Sequence, residues 1–260
     1  MAFTAFDLTG KVALITGGNG GIGLGMAEAI AAAGADVCVW GTNATKNAAA
    51  EARLAEHGVR AKAIQVDVSD EAAVDRAFEA TVAAFGRVDG CFANAGVSTR
   101  GTPFEKLTSD EWRRVLAVNL DGAFFTLRAA ARHMVARAEA GDPGGRLIGT
   151  ASLAALSGPA RNEHYAATKG GLVAMMNALA VEYARHGVTA NSILPGWIET
   201  EMTADAFAWQ KFAENVMPRI PMRRWGSPQD FAGIAVYLMS DASAYHTGDR
   251  FLIDGGYWIF

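Results

Sequence analysis

The chain has 260 residues, 51% of them hydrophobic, with a mean hydropathy of +0.12 and a formal charge of −4 from 23 basic and 27 acidic residues. That length and apolar fraction suffice for one α/β domain over 1–260 with a sizeable core, and the mixed charges include no basic run able to follow a nucleic-acid backbone. No apolar stretch approaches the roughly eighteen residues of a membrane span, and the opening 1–7 lacks a basic start followed by an apolar block, so the expected location is cytoplasmic.

In chain order, the apolar run 11–16 reads as a first strand and leads through Thr16-Gly17-Gly18-Asn19-Gly20-Gly21-Ile22-Gly23 into a helix at 21–33. Strand 35–40, holding Cys38, ends in Trp40-Gly41-Thr42-Asn43 and is followed by helix 43–57. Strand 61–66 precedes Asp67-Val68 and a helix at 70–85 with a capping signal at Ser69-Asp70. Strand 88–93, holding Cys91, runs into Asn94-Ala95-Gly96, and Thr108-Ser109-Asp110-Glu111 opens a helix over 108–138. Strand 145–150 precedes Ser152, helix 162–186 carries Tyr165 and Lys169, and strand 188–194 precedes Pro195-Gly196, Ile198 and Thr200. Helix 227–239 and strand 250–253 complete the series. Such alternation predicts a Rossmann-type doubly wound α/β domain, a seven-stranded parallel sheet flanked by helices. Each cysteine lies in a short buried run with no His/Cys cluster at ligand spacing, so packing is its expected role, with no metal and no disulfide.

The segment 197–226 breaks the alternation. It holds Trp197, Met202, Phe207, Trp209, Phe212, Met217 and Trp225 with Pro218 and Pro221, and an apolar insertion after a strand end predicts a helical substrate lid. Arg223-Arg224 within it, like Glu163-His164 before the tyrosine, reads as a solvated pair.

Two features carry chemistry. The glycines at 17, 18, 20, 21 and 23, between a first strand and a first helix, permit a tight turn and let main-chain amides meet a pyrophosphate. Tyr165 and Lys169, four residues apart, share one face of a helix. A cation about 4 Å from a phenol at an effective dielectric of about 20 is worth roughly 4 kcal/mol, about three pKa units. Such a phenol exchanges protons near neutrality.

Gly17-x-x-x-Gly21-x-Gly23 with Tyr165-x-x-x-Lys169 resembles the short-chain dehydrogenase/reductase family, and the resemblance covers nearly the whole chain with motifs in the family's order. It implies a catalytic tetrad of Asn119, Ser152, Tyr165 and Lys169. Tyr165 would exchange a proton with the substrate oxygen, Ser152 would donate a hydrogen bond to it, and Lys169 would depress the phenol and hold the nicotinamide ribose. Asn119 would anchor a water linking the lysine to solvent. It further implies cofactor contacts at Gly17, Asn19, Gly21, Ile22 and Gly23, at Asp67 and Val68 beside adenine, and at Asn94, Ala95 and Gly96. Pro195, Gly196, Ile198 and Thr200 would hold the nicotinamide end.

Cofactor preference turns on the end of the second strand. There Gly41 stands where the family's NAD-preferring members often carry aspartate, and Thr42 where NADP-preferring ones often carry arginine. With Asn43 and Lys46 nearby, weak discrimination is expected and the cofactor is written NAD(P). Leu153-Ala154-Ala155-Leu156 and the aromatic lid favour an apolar secondary alcohol or ketone, cyclic or aromatic, as the small-molecule substrate. Similarity to 3-oxoacyl-[acyl-carrier-protein] reductases offers acyl reduction as the alternative enzyme reading, with Arg113, Arg114, Arg128 and Arg132 as a docking face for the carrier. A catalytically inactive nucleotide-sensing protein and a nucleotide-fold methyltransferase are alternatives of other classes; methyl transfer has no use for Tyr165 and Lys169 at this spacing. The ending Asp254-Gly255-Gly256-Tyr257-Trp258-Ile259-Phe260 is apolar enough to be covered by a neighbour. By resemblance, a homotetramer is expected, with Trp258 and Phe260 reaching an adjacent subunit's pocket.

Overall fold

The computed structural model describes residues 4–99 and 101–260; positions 1–3, where the opening read above begins, and position 100 lie outside the described residues. β1 (Val12–Thr16) leads to α1 (Gly21–Ala32), β2 (Asp36–Gly41) to α2 (Ala44–Ala55) and β3 (Ala61–Gln65) to α3 (Glu71–Phe85). β4 (Gly90–Ala93) leads to α4 (Ser109–Leu116), a π-helical segment Ala117–Asp121 and α5 (Gly122–Glu139). β5 (Gly145–Thr150) leads to α6 (Glu163–Tyr183), and β6 (Val188–Pro195) to the short helices α7 (Ala204–Ala208) and α8 (Gln210–Val216). α9 (Ala232–Met239) precedes β7 (Arg250–Ile253).

The expected strands form one parallel sheet in the order β3-β2-β1-β4-β5-β6-β7. Successive strand residues face opposite sides, which is why two cores form. Val12, Leu14, Cys38, Trp40, Cys91 and Leu147 pack with Phe78 of α3, Leu127 and Met134 of α5 and Met176 of α6. Ala13, Ile15, Val37, Val39, Phe92 and Ile148 pack with Met26 and Ile30 of α1, Leu54 of α2 and Met239 of α9. Each fully buried large aliphatic or aromatic side chain contributes about 1.5–3 kcal/mol, so both faces must be apolar and the strands read as unbroken hydrophobic runs. Cys38 and Cys91 belong to this packing. Burial pushes the Cys38 thiol up to about 11 and the Cys91 thiol up to about 12, so neither is nucleophilic near neutrality.

Local signals account for the starts of α2, α3 and α4. Asp70 accepts from Ala73 N at 3.0 Å to cap α3, and Thr108 with Glu111 forms the expected capping box of α4. Two expectations are refined. The stretch 108–138 is not uniformly α-helical, because the π-helical segment interrupts it and carries Asn119. The helix expected at 162–186 leaves the α conformation after Tyr183 and closes as a 3-10 turn, Ala184–His186, against left-handed Gly187.

From β1 the chain passes to β2 on one side, while β4 lies on the other. The C-terminal ends of β1 and β4 therefore flank a crevice, the switch point of a doubly wound sheet.

Candidate active site

Thr16 and Asn94 fix the two lips of that crevice. Thr16 Oγ1 accepts from Asn94 N and Ala95 N, each at 3.0 Å, and Asn94 Nδ2 donates to Thr16 O at 3.0 Å. The glycine turn is thereby held against β4. Gly17 has φ +63°, and a Cβ on Gly23 would lie 2.3 Å from Gly17 O, so a side chain is excluded at both. A Cβ on Gly20 would meet nothing within 4 Å, which leaves the outer side of the turn open. α1 has no side-chain cap and no acid in its first turn, whereas α2, α3 and α4 are capped by Asn43, Asp70 and Thr108. Its first amides are left to meet an anion, and the pyrophosphate of a dinucleotide fits such a cradle.

On the other side of the crevice, β5 ends at Thr150 and Ser152 caps the following turn, its Oγ accepting from Ala154 N at 3.1 Å. Accepting that bond fixes the oxygen and leaves the hydroxyl proton free to be donated elsewhere, so capping and a role toward a substrate oxygen coexist. α6 brings Tyr165 and Lys169 onto one face. Lys169 Nζ lies 5.5 Å from the centre of the Tyr165 ring and donates to Thr150 O at 2.8 Å. Lys169 is 3% exposed, and burial lowers its pKa to about 8. At pH 7 it is still charged by about ten to one.

Asn119 is buried beside these groups. Its Nδ2 donates to Val97 O at 2.9 Å and to Thr168 Oγ1 at 3.3 Å, while its Oδ1 accepts from Val97 N at 2.7 Å. Both amide protons are engaged, so the carboxamide clips the chain beyond β4 to the π-helical segment and to α6. Gly96 sits against the same cluster: a Cβ there would lie 3.3 Å from Asn119 Oδ1 and 3.5 Å from Lys169 Nζ. The reading of Glu163-His164 as a solvated helix start is corrected for His164, which is buried with its Nε2 2.5 Å from Thr99 Oγ1, and burial lowers its pKa.

A cavity of about 630 Å³ joins the two sides. Of the expected residues it is lined by Gly17, Asn19, Gly21, Ile22, Gly23, Asn94, Ala95, Gly96, Ser152, Tyr165, Lys169, Pro195, Gly196, Ile198 and Thr200. Asn119 lies behind this wall, and Gly41, Thr42, Asn43, Asp67 and Val68 sit at the ends of β2 and β3 without lining it. Asn43 Oδ1 is occupied in capping α2 through Lys46 N at 3.0 Å, and Asp67 Oδ1 by Ser69 Oγ at 2.7 Å. At Gly41 a Cβ would lie 2.1 Å from Asn19 Nδ2, which donates to Asn47 Oδ1 at 2.7 Å. Asn47 Nδ2 in turn donates to Gly41 O at 3.0 Å. Two interlocked amides thus fill the space that a side chain at 41 would need.

From 197–226, Trp197, Met202, Thr203 and Arg219 also line the cavity. The segment is held by its own aromatic rings, Phe207 stacked on Trp225 at 4.1 Å and Trp197 edge-on to Phe212 at 5.0 Å. Arg223 and Arg224 have local partners, Pro218 O for the first and a two-pronged contact with Asp230 at 2.7 Å for the second. Lys46, at the start of α2, forms an ion pair with Glu201 across the cavity's edge. Tyr257 and Trp258 line the cavity of their own chain. Sequence reasoning missed Arg219 as a lining residue; its ring contact is with Tyr257, beyond β7, and no local spacing links the two.

A family model described as enoyl-(acyl carrier protein) reductase matches residues 17–258. The chain is similar to an L-rhamnose 1-dehydrogenase (NAD(P)(+)) of Sphingomonas sp. strain SKA58, 37% identical over 97% of this chain and 98% of that one. Among solved structures, a short-chain type dehydrogenase/reductase from Mycobacterium marinum superposes with a TM-score of 0.91 at 35% identity, over 98% of each chain. A gluconate 5-dehydrogenase from Burkholderia cenocepacia J2315, in complex with NADP and tartrate, gives 0.92 at 34% identity, also over 98% of each chain.

Proposed function

The chain belongs to the short-chain dehydrogenase/reductase family, and we propose that it is an NAD(P)-dependent oxidoreductase interconverting a secondary alcohol and a ketone, with dinucleotide binding and catalysis in one unit over 1–260. The carrying observation is that Ser152, Tyr165 and Lys169 open onto the same cavity as the glycine turn of an uncapped helix. The nicotinamide supplies or accepts the hydride when bound. Tyr165 gives the proton to the substrate oxygen in reduction and takes it in oxidation. Ser152 donates to that oxygen as charge gathers on it. Lys169 stabilises the phenolate, and Asn119 is a positioning residue that holds the main chain around the lysine.

Supporting an apolar, cyclic or aromatic substrate body, the substrate side of the cavity is walled by Leu153, Ala154, Pro159, Trp197, Met202, Tyr257 and Trp258. Its hydroxyls at Ser98 and Ser157 donate to Asn162 Oδ1 and Leu153 O rather than to an open polyol site. Residues 197–226 act as the cover. The test is consumption of NADH or NADPH, followed by absorbance, with cyclic and aromatic ketones, polyols and a 3-oxoacyl thioester. Ketones should turn over fastest; polyols turning over faster would overturn the substrate reading. Similarity to a 3-oxoacyl-[acyl-carrier-protein] reductase of Synechocystis sp. strain PCC 6803, 36% identical over 97% of this chain and 99% of that one, favours a second reading, reduction of a 3-oxoacyl thioester, which faster turnover of the thioester would establish.

We place the enzyme in the cytoplasm as a homotetramer. Supporting this, Phe124 on α5, Val181 on α6 and the terminal Ile259 and Phe260 are exposed apolar groups, and no helix among the described residues is long and apolar enough to cross a membrane. A monomeric mass at micromolar concentration would contradict the assembly.

A further inference from the structure

Arg219 is a cation at the wall of the cavity with no ion pair or side-chain hydrogen bond among the described residues. Among the described residues the other two cations lining the cavity are engaged: Lys46 pairs with Glu201, and Lys169 donates to Thr150 O. Arg219 ends the short turn Met217–Arg219, and its guanidinium lies 4.4 Å from the centre of the Tyr257 ring, whose edge meets Trp197 at 6.1 Å. Trp197 follows β6 and Tyr257 follows β7, so sheet order puts this cation at the end remote from β2 and Lys46, on the side of Ser152. The Tyr257 ring restricts the guanidinium without neutralising it, which preserves its fork of donors for an oxyanion. A free charge beside apolar walls is the kind of sparse polar group that fixes a ligand's orientation.

Resting on the oxidoreductase reading, we propose that Arg219 binds a carboxylate on the substrate, which makes the substrate class oxo acids and hydroxy acids with an apolar or cyclic body. The probes are 4-oxocyclohexanecarboxylate and its ethyl ester, tested with the cofactor-loaded enzyme by calorimetric binding and by turnover. The acid should bind about tenfold more tightly than the ester, a difference of about 1.4 kcal/mol. Arg219→Gln should bring that ratio close to one, chiefly through KM. Arg185→Gln, which removes the same charge beyond the far end of the helix bearing Tyr165, should keep it. Arg219→Lys should restore part of it. Equal binding of acid and ester, no binding of the acid at millimolar concentration, or a preference that survives in Arg219→Gln would overturn the assignment. Binding with the predicted preference but no turnover of either probe would uphold Arg219 and count against the reaction proposed for the site.

Discussion

Lys169, buried on α6, holds its ammonium 5.5 Å from the centre of the Tyr165 ring. A cation on this side of the ring can stabilise negative charge that develops on the phenolic oxygen. Thr150 O, 2.8 Å from Nζ, fixes the ammonium from the end of β5, the strand that also delivers Ser152. One strand end therefore aligns proton donor, hydrogen-bond donor and cation.

Removing the phenolic hydroxyl takes away the group that exchanges the proton but none of the packing of the ring. Tyr165→Phe should lower kcat by about 10²–10⁴, with cofactor affinity, read by quenching of protein fluorescence, close to that of the parent. Ser152→Ala should cost about 10²–10³ in kcat. A Tyr165→Phe enzyme that keeps most of its turnover would remove Tyr165 from the reaction.

Lys169 also sets a conflict between stability and activity. Its pKa is about 8 in the folded protein because of burial, below the value of about 10.4 expected in the unfolded chain. The unfolded state then binds more protons between those values, so stability rises with pH through that window. Below it, holding the charge in the interior costs about 3 kcal/mol. Lys169→Met should therefore be inactive, more stable than the parent in urea at pH 7, and should lose the part of the rise between pH 8 and 10 that the parent shows. A parent and variant with parallel pH profiles would show that the lysine is not desolvated.

Asn119 ties together segments that the sequence reading did not connect. Asn119→Ala would leave Val97 N–H and C=O without their partners in a part-buried setting. At about 1–3 kcal/mol for each of the two orphaned groups, a loss of about 2–6 kcal/mol is expected, measured by urea unfolding. Loss of activity without loss of stability would instead argue for a direct part in proton supply.

The sheet was legible because strands buried on both faces must be apolar throughout, and the caps at Asp70 and Thr108 because a side-chain oxygen three residues ahead of an orphan amide is a local pattern. The π-helical segment was not, since the helical spacing of Val115, Asn119, Ala123 and Leu127 reads the same through a one-residue widening. Arg219 and the tail escaped because their meeting is made by β7 entering the sheet beside β6, a long-range event with no local trace. Gly41 was legible as a departure from both cofactor patterns, but its cause, the amides of Asn19 and Asn47, lies on other elements.

That cause leads to a cofactor prediction. With no carboxylate at the end of β2, the ratio of kcat/KM for NAD and NADP should stay within about a hundredfold, or 2.7 kcal/mol. Gly41→Asp would add a charge that repels a 2′-phosphate and can accept from a ribose diol, but its Cβ must displace Asn19 Nδ2 and so break the bond to Asn47. The single substitution should therefore turn preference toward NAD while lowering stability by about 1 kcal/mol, the ordinary worth of a lost hydrogen bond. Asn19→Gly removes the nearer part of the obstruction and leaves Asn47 Oδ1, 2.6 Å from the added Cβ, so in the double substitution Gly41→Asp should cost less stability than it does alone and the NAD preference should be larger, a coupling readable as a double-mutant cycle. Additive effects at the two positions would mean that Asn19 does not occupy the place of the missing side chain.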